Sequence, residues 1–86
     1  MLIQIDIAPH AQNRLLKVRA VSDEFCWHGE QSLDGVDSPR RVVFELREMP
    51  AGLYDIEGEI LGADGRPRGR VRRRVTLLPR AAAGVV

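Results

Sequence analysis

Apolar and polar residues alternate along most of this chain with the period of two that is typical of half-buried β-strands. In the first run, residues 2–7, isoleucines alternate with Gln4 and Asp6, and Pro9 ends the run because it cannot donate to a ladder. The same pattern, with turn residues between the runs, predicts five further strands at about 14–21, 25–33, 42–47, 53–61 and 69–78. No window has the spacing and caps of an amphipathic helix, so we expect almost no helix.

The last two strands are predicted to form a hairpin around Asp64-Gly65, a dipeptide that favours a two-residue type I′ turn because both positions need a positive φ. With this loop, Ala63 faces Arg66 and Pro67 faces Gly62 in a non-hydrogen-bonded pair. Counting outwards from the loop then gives three cross-strand pairs of opposite charge on one face of the hairpin: Glu59 with Arg70, Glu57 with Arg72, and Asp55 with Arg74.

The same alternation places Arg73 on the inward face between Val71 and Val75, opposite Ile56. A lone buried guanidinium is very costly. We therefore expect Arg73 either at the margin of its sheet, where an inward charge deters edge-to-edge association, or paired with an acid of a second sheet. Pro67 in the same strand also indicates an edge position, because a central strand needs every backbone N–H.

Six or seven short strands without helices predict an all-β fold, either a small antiparallel β-sandwich or a barrel. A chain of 86 residues has room for one domain, which we place at residues 1–80, followed by a flexible tail at 81–86. This size also leaves little room for a deep active site.

The passage from Phe44 to Leu61, centred on Met49-Pro50-Ala51-Gly52-Leu53-Tyr54, resembles immunoglobulin-like and fibronectin type III-like sandwiches. In those domains a turn delivers a tyrosine at the start of the penultimate strand, and its hydroxyl bonds back to nearby backbone. The resemblance covers the second half of the chain and implies a fold, not an activity. The chain has no cysteine pair, and a transthyretin-like sandwich has similar turns, so the strand topology stays open.

Charge is nearly balanced at +1 but is segregated along the chain, because residues 66–80 hold seven arginines and no acid. Guanidinium groups along one strand could follow a nucleic-acid backbone, which makes nucleic acid or another polyanion the alternative ligand, bound through residues 66–74. The acids of the neighbouring strand neutralise Arg70, Arg72 and Arg74, however, and this segment lacks the exposed aromatic residues on which bases stack.

Cys26-Trp27-His28 contains residue types that serve in metal and thiol chemistry. A zinc site needs three or four ligands, and only His10 offers a second imidazole, while a thiol nucleophile would need an orienting group and an oxyanion hole. We therefore expect no metal, no cofactor and no catalytic residue, with Cys26 buried, His28 at the surface and Trp27 anchored between sheets. The loop acids also lack calcium-ligand spacing: Asp34, Asp37, Glu45 and Glu48.

Together with the resemblance to immunoglobulin-like domains, these patterns predict a small antiparallel β-sandwich that serves as a non-catalytic module for protein–protein interaction or structural support, whose partner the sequence does not identify. The first strand, with Ile3 and Ile5, lacks edge protection, so at a sheet edge it could pair with another chain or form a homo-oligomer. No apolar stretch is long enough for a signal peptide or a membrane span, so the chain, if complete, is expected to be cytoplasmic.

Overall fold

Six β-strands make up most of residues 1–78, the part of the chain that the computed structural model describes. The first and last residues of these strands differ from those that the sequence predicts by no more than about two residues, which is the usual uncertainty of strand ends. A short 3-10 turn, Gly35–Asp37, precedes the fourth strand. The strands are β1 Leu2–Asp6, β2 Leu15–Val21, β3 Cys26–Ser32, β4 Arg41–Glu45, β5 Gly52–Leu61 and β6 Pro67–Leu77.

The strands form two antiparallel sheets, which confirms the all-β prediction. One sheet has four strands in the order β3-β2-β5-β6, and the other consists of β1 and β4 alone. β6 is therefore an edge strand, as the position of Pro67 indicates. Each of the two strands of the smaller sheet has an outer edge that pairs with no other strand of the described chain.

The core lies between the two sheets. The central strand β2 contributes Leu16, Val18 and Ala20, and the smaller sheet covers them with Ile3 and Val42. These five side chains are nearly inaccessible to solvent, in keeping with the alternation that predicts their inward orientation. The strand pattern thus fixes which face of each strand is buried.

Two contacts show how the smaller sheet lies over the larger one. Trp27 of β3 packs edge-to-face against Phe44 of β4, with ring centroids 5.3 Å apart. Ile5 of β1 approaches Gly58 of β5 so closely that a Cβ built on the glycine would lie 3.2 Å from the Ile5 Cδ1 atom. β4 therefore lies over the β3 side of the larger sheet and β1 lies over β5, which leaves β6 beyond the cover of β1.

Tyr54 makes the contact that the sandwich resemblance implies. Its side chain is fully buried, its hydroxyl donates a hydrogen bond of 2.6 Å to the carbonyl oxygen of Pro50, and its ring meets Phe25 edge-on. The bond closes the turn that leads into β5. The immunoglobulin-like topology itself stays a prediction.

The predicted two-residue turn of the β5–β6 hairpin is wrong. The Gly65 N–H bonds to the Gly62 carbonyl and the Gly62 N–H bonds to the Arg66 carbonyl, so the loop has three residues, 63–65. Gly65 has a φ of 76°, while Asp64 is not among the residues with positive φ and instead accepts the Arg66 N–H through its carboxylate. This arrangement is a type I turn followed by a left-handed glycine.

A β-bulge compensates for the longer loop. Pro67 faces Leu61 rather than Gly62, and Gly69 faces Ile60, so Arg68 is an extra residue in β6. Beyond the bulge the pairing follows the predicted register. The prediction of a flexible tail at 81–86 lies outside the described residues. Within residues 1–78 there is no helix of the length and apolarity needed to cross a membrane.

Candidate functional site

The outer face of the larger sheet carries the predicted charge ladder. Three guanidinium groups of β6 donate to three carboxylates of β5 over distances of 3.0, 2.9 and 3.1 Å from Nε to oxygen. The pairs are those that the sequence predicts: Arg70 with Glu59, Arg72 with Glu57, and Arg74 with Asp55. Each arginine therefore has a carboxylate partner within its own hairpin, which reduces the field available to a polyanion.

Glu57 is the centre of this ladder. Its carboxylate accepts from Arg72 and also lies 3.6 Å from Arg70 Nε and 3.8 Å from a terminal nitrogen of Arg19 on β2. The hydrogen bond from Arg72 lowers the pKa of Glu57 below its ordinary value of 4.5, against the opposing effect of desolvation, and the positive charges nearby lower it further. Glu57 thus acts as a structural counter-ion for three arginines.

Cys26 and His28 lie side by side on the outer face of the edge strand β3. The Cys26 sulfur is 3.2 Å from His28 Nε2, and both side chains are exposed. The expectation of a buried cysteine is wrong. The Trp27 side chain points inward, and because successive side chains of a strand point to opposite faces, Cys26 and His28 point outward. Within residues 1–78 no cluster of three histidine, cysteine or acidic side chains could hold a metal ion.

A different surface offers unpaired backbone groups, along the open edge of β1. Met1 and Leu46 exchange both of their N–H···O=C bonds, and the Ile7 N–H bonds to the Arg40 carbonyl. Hydrogen-bonded pairs recur at every second residue of an antiparallel ladder. The backbone N–H and C=O groups of the odd-numbered residues of β1 therefore point toward β4, and those of the even-numbered residues point away from it. Because β1 pairs with no strand other than β4, the outward residues have no backbone partner within residues 1–78: Leu2, Gln4 and Asp6.

This open edge borders an apolar groove between β1 and β6. The groove has a volume of about 520 Å³. Its floor is formed by Ile56 and Gly58 of β5, and its far wall by the inward face of β6, where Val71 is 39% exposed although alternation turns it toward the core side. We call this feature the β1–β6 groove. It occupies the place where a third strand of the smaller sheet would cover β6.

Arg73 lines the β1–β6 groove. It lies between Val71 and Val75 and opposite Ile56, as the sequence predicts. Its side chain is exposed, and one terminal nitrogen donates to the carbonyl of Arg72 over 2.9 Å. No carboxylate of the described residues lies within 4.0 Å of it. Of the two arrangements expected, the structure therefore shows the arginine at the sheet margin rather than the inter-sheet ion pair.

The two isoleucines predicted as interaction residues have different positions. Ile3 is buried in the core, whereas Ile5 is half-buried and lines the groove, so of the two only the Ile5 side chain is accessible to a ligand. The sequence prediction overlooked Val71 and Val75 as groove residues. Their alternation with Arg73 is the signal, because core strands seldom carry a charge between two inward valines.

Comparison with protein-family models, curated proteins and solved structures finds no match to this chain. The assignment of a function therefore depends on the geometry of these surfaces. Of the three, the β1–β6 groove combines unsatisfied backbone groups with exposed apolar surface, whereas the side chains of the outer-face ladder largely satisfy one another.

Proposed function

We propose that this protein is a non-catalytic protein-interaction module that binds an extended segment of a partner along the open edge of β1. The observation that carries the proposal is the juxtaposition of outward N–H and C=O groups at Leu2, Gln4 and Asp6 with the apolar β1–β6 groove. Main-chain hydrogen bonds supply affinity in this mode of binding, and alternate side chains that enter pockets supply specificity.

The geometry favours a single added strand. An antiparallel strand beside β1 would place every second side chain over Ile56, Val71 and Val75, because directly opposed residues point to the same face. The remaining side chains would lie beside those of Leu2 and Gln4 at the surface. Such a strand removes exposed apolar surface from water at about 25 cal/mol per Å² while it pairs the open edge.

A symmetric pairing of two β1 strands fits this site less well. A two-fold axis perpendicular to the smaller sheet would put the second copy's β1 above this chain's β6. The larger sheet of the second copy, which lies beneath its own β1, would then occupy the space of β6. The overhang of β6 thus favours an isolated extended segment over the edge of another folded sheet.

Polyanion binding through residues 66–74 is the alternative proposal. It has some support, because Arg70, Arg72 and Arg74 keep more than half of their side-chain surface exposed despite their carboxylate partners. Binding to a mixed panel of DNA and RNA that weakens steeply with salt, and that is lost in the Arg70→Glu/Arg72→Glu double variant, would favour it. Salt-independent or absent binding would remove it.

The proposed function is tested with short synthetic peptides of the pattern Lys-Val-Thr-Xaa-Thr-Val-Lys, in which Xaa is Glu, Gln, Lys or Leu. The valines and Xaa would face the groove, and the threonines would face solvent and exchange hydrogen bonds with β1. We expect at least one peptide of the set to bind and to slow amide hydrogen exchange at Leu2, Gln4 and Asp6, whose N–H groups have no backbone acceptor within residues 1–78.

Gln4→Pro is the matched variant, because proline removes an outward N–H that the β1–β4 ladder does not use. It should abolish binding, while Gln4→Ala should retain it. N-methylation of the peptide offers the same test without altering the protein: methyl groups on the threonine nitrogens should block binding, and methyl groups on the valine nitrogens should not. Failure of the whole set to bind, or binding unaffected by either change, would refute the proposal.

A further inference from the structure

We propose that the segment bound in the β1–β6 groove carries an acidic side chain that pairs with Arg73, flanked at alternate positions by apolar residues. This inference rests on the proposed function and adds the chemical class of the partner. It follows from the order of residues on the β6 wall of the groove, where one arginine lies between Val71 and Val75, each about 7 Å from it along the strand.

The free energy of covering Arg73 decides which strands can bind. In the free protein the guanidinium is exposed and has no carboxylate partner among residues 1–78. A bound strand would take it out of water. A uniformly apolar strand would therefore leave a desolvated charge unpaired, whereas an acidic residue opposite Arg73 would compensate it with a charge-assisted hydrogen bond.

The neighbouring arginines cannot be exchanged for Arg73 in this role. Arg72 and Arg74 point to the outer face, where they pair with Glu57 and Asp55. Arg73 alone of the three faces the groove. A ligand without an acid at this position would leave the Arg73 charge buried and unpaired, and would therefore bind more weakly than a ligand with one.

Two segments of the chain that could occupy the groove, a second β1 strand and residues 79–86, have no acidic side chain at the required positions. The inward residues of a second β1 strand are isoleucines. Residues 79–86 contain Arg80 but no aspartate or glutamate. The charge of Arg73 thus favours a segment of another protein, with the alternating pattern apolar, acidic, apolar.

The peptide set described above tests this inference through its ranking. The Glu peptide should bind the unaltered protein roughly tenfold more tightly than the Gln peptide, and the Lys peptide most weakly. Arg73→Gln should remove the preference for Glu over Gln, and Arg73→Glu should reverse it in favour of Lys. Arg74→Gln is the control, because it removes the same charge from the opposite face and should leave the ranking unchanged.

The outcomes separate this inference from the proposed function. If the peptides bind at the β1 edge but Glu and Gln bind equally, or if Arg74→Gln changes the ranking as much as Arg73→Gln, the inference fails and the proposed function stands. If none binds, both fail. Self-association in sedimentation experiments that Gln4→Pro abolishes, or tighter peptide binding after removal of residues 79–86, would show that the chain itself fills the groove and would overturn the inference.

Discussion

Glu57 shows how one side chain organises the outer face. Its side chain is 19% exposed, while the arginines around it are more than half exposed, so the carboxylate lies beneath a layer of guanidinium groups. The sequence predicts its partner Arg72 correctly, because cross-strand pairing follows from the register. The contacts of Arg19 and Arg70 with the same carboxylate depend on the order of the sheet and on side-chain conformations, which the alternation of residues does not contain.

The lowered pKa of Glu57 makes part of the stability depend on pH. The folded protein binds this proton less readily than the unfolded chain does, so the contribution is complete above the ordinary value of 4.5 and is lost as the pH falls through the lower pKa of the folded state. We expect Glu57→Gln to lower the free energy of unfolding at neutral pH. The difference between variant and parent should shrink as the pH falls below about 4.5.

Urea unfolding across this pH range measures the effect. Glu24→Gln serves as the control, since Glu24 is an exposed loop residue without an ion pair in the described part of the chain. Added salt should reduce the effect of Glu57→Gln, because the surrounding arginines are solvent-accessible. A difference between Glu57→Gln and its parent that stays constant from neutral to acidic pH would contradict this interpretation.

At the level of elements, the β5–β6 hairpin has the predicted register beyond its turn, but it combines a longer loop with a bulge, neither of which was predicted. Asp64-Gly65 indicates a turn at the right place, but the dipeptide suits both a two-residue loop and the last positions of a three-residue loop. The longer loop shifts the pairing by one residue, and the bulge at Arg68 shifts it back. The residue pattern contains no signal for the bulge, because the bulge is needed only once the loop has three residues. The extra residue, Arg68, contacts His10 from a distant part of the chain.

Deletion of Arg68 should therefore be tolerated. Gly69 would follow Pro67 directly, so the ladder from Ile60 onwards would keep its partners and only the contact with His10 would be lost. We expect the free energy of unfolding to change by less than about 1 kcal/mol in urea titrations.

Deletion of Arg72 is the matched control for this prediction. It would turn every later residue of β6 to the opposite face, including the half-buried Val75 and Leu77, and should cost about 2 kcal/mol or more. Equal destabilisation by the Arg68 and Arg72 deletions would mean that the bulge is required by the hairpin and does not merely restore its register.

At the scale of the whole molecule, the sequence predicts two sheets but not how one covers the other. Alternation shows that Ile5, Val18 and Val71 each face inward, yet it does not show which of them meet. The smaller sheet has two strands and the larger one four, so part of the inward face must stay open. The β1–β6 groove is this uncovered part, and it could be identified only once the sheets were placed.

On the side of the sandwich where β4 covers β3, the packing of the two sheets requires a glycine at position 29. The Trp27 ring lies across Gly29 of β3, and a Cβ at that position would approach two atoms of the indole ring and lie 3.0 Å from Phe44. We expect Gly29→Ala to push Trp27 away from Phe44, to destabilise the protein by about 1–3 kcal/mol in urea unfolding and to change the tryptophan fluorescence.

Gly69→Ala is the control, because Gly69 lies in β6 on the side that the smaller sheet leaves open. Nothing lies within 4 Å of the added methyl group there, so the substitution should change the free energy of unfolding by less than about 0.5 kcal/mol. Equal effects of the two substitutions would show that the contact between Trp27 and Phe44 does not hold the sheets together.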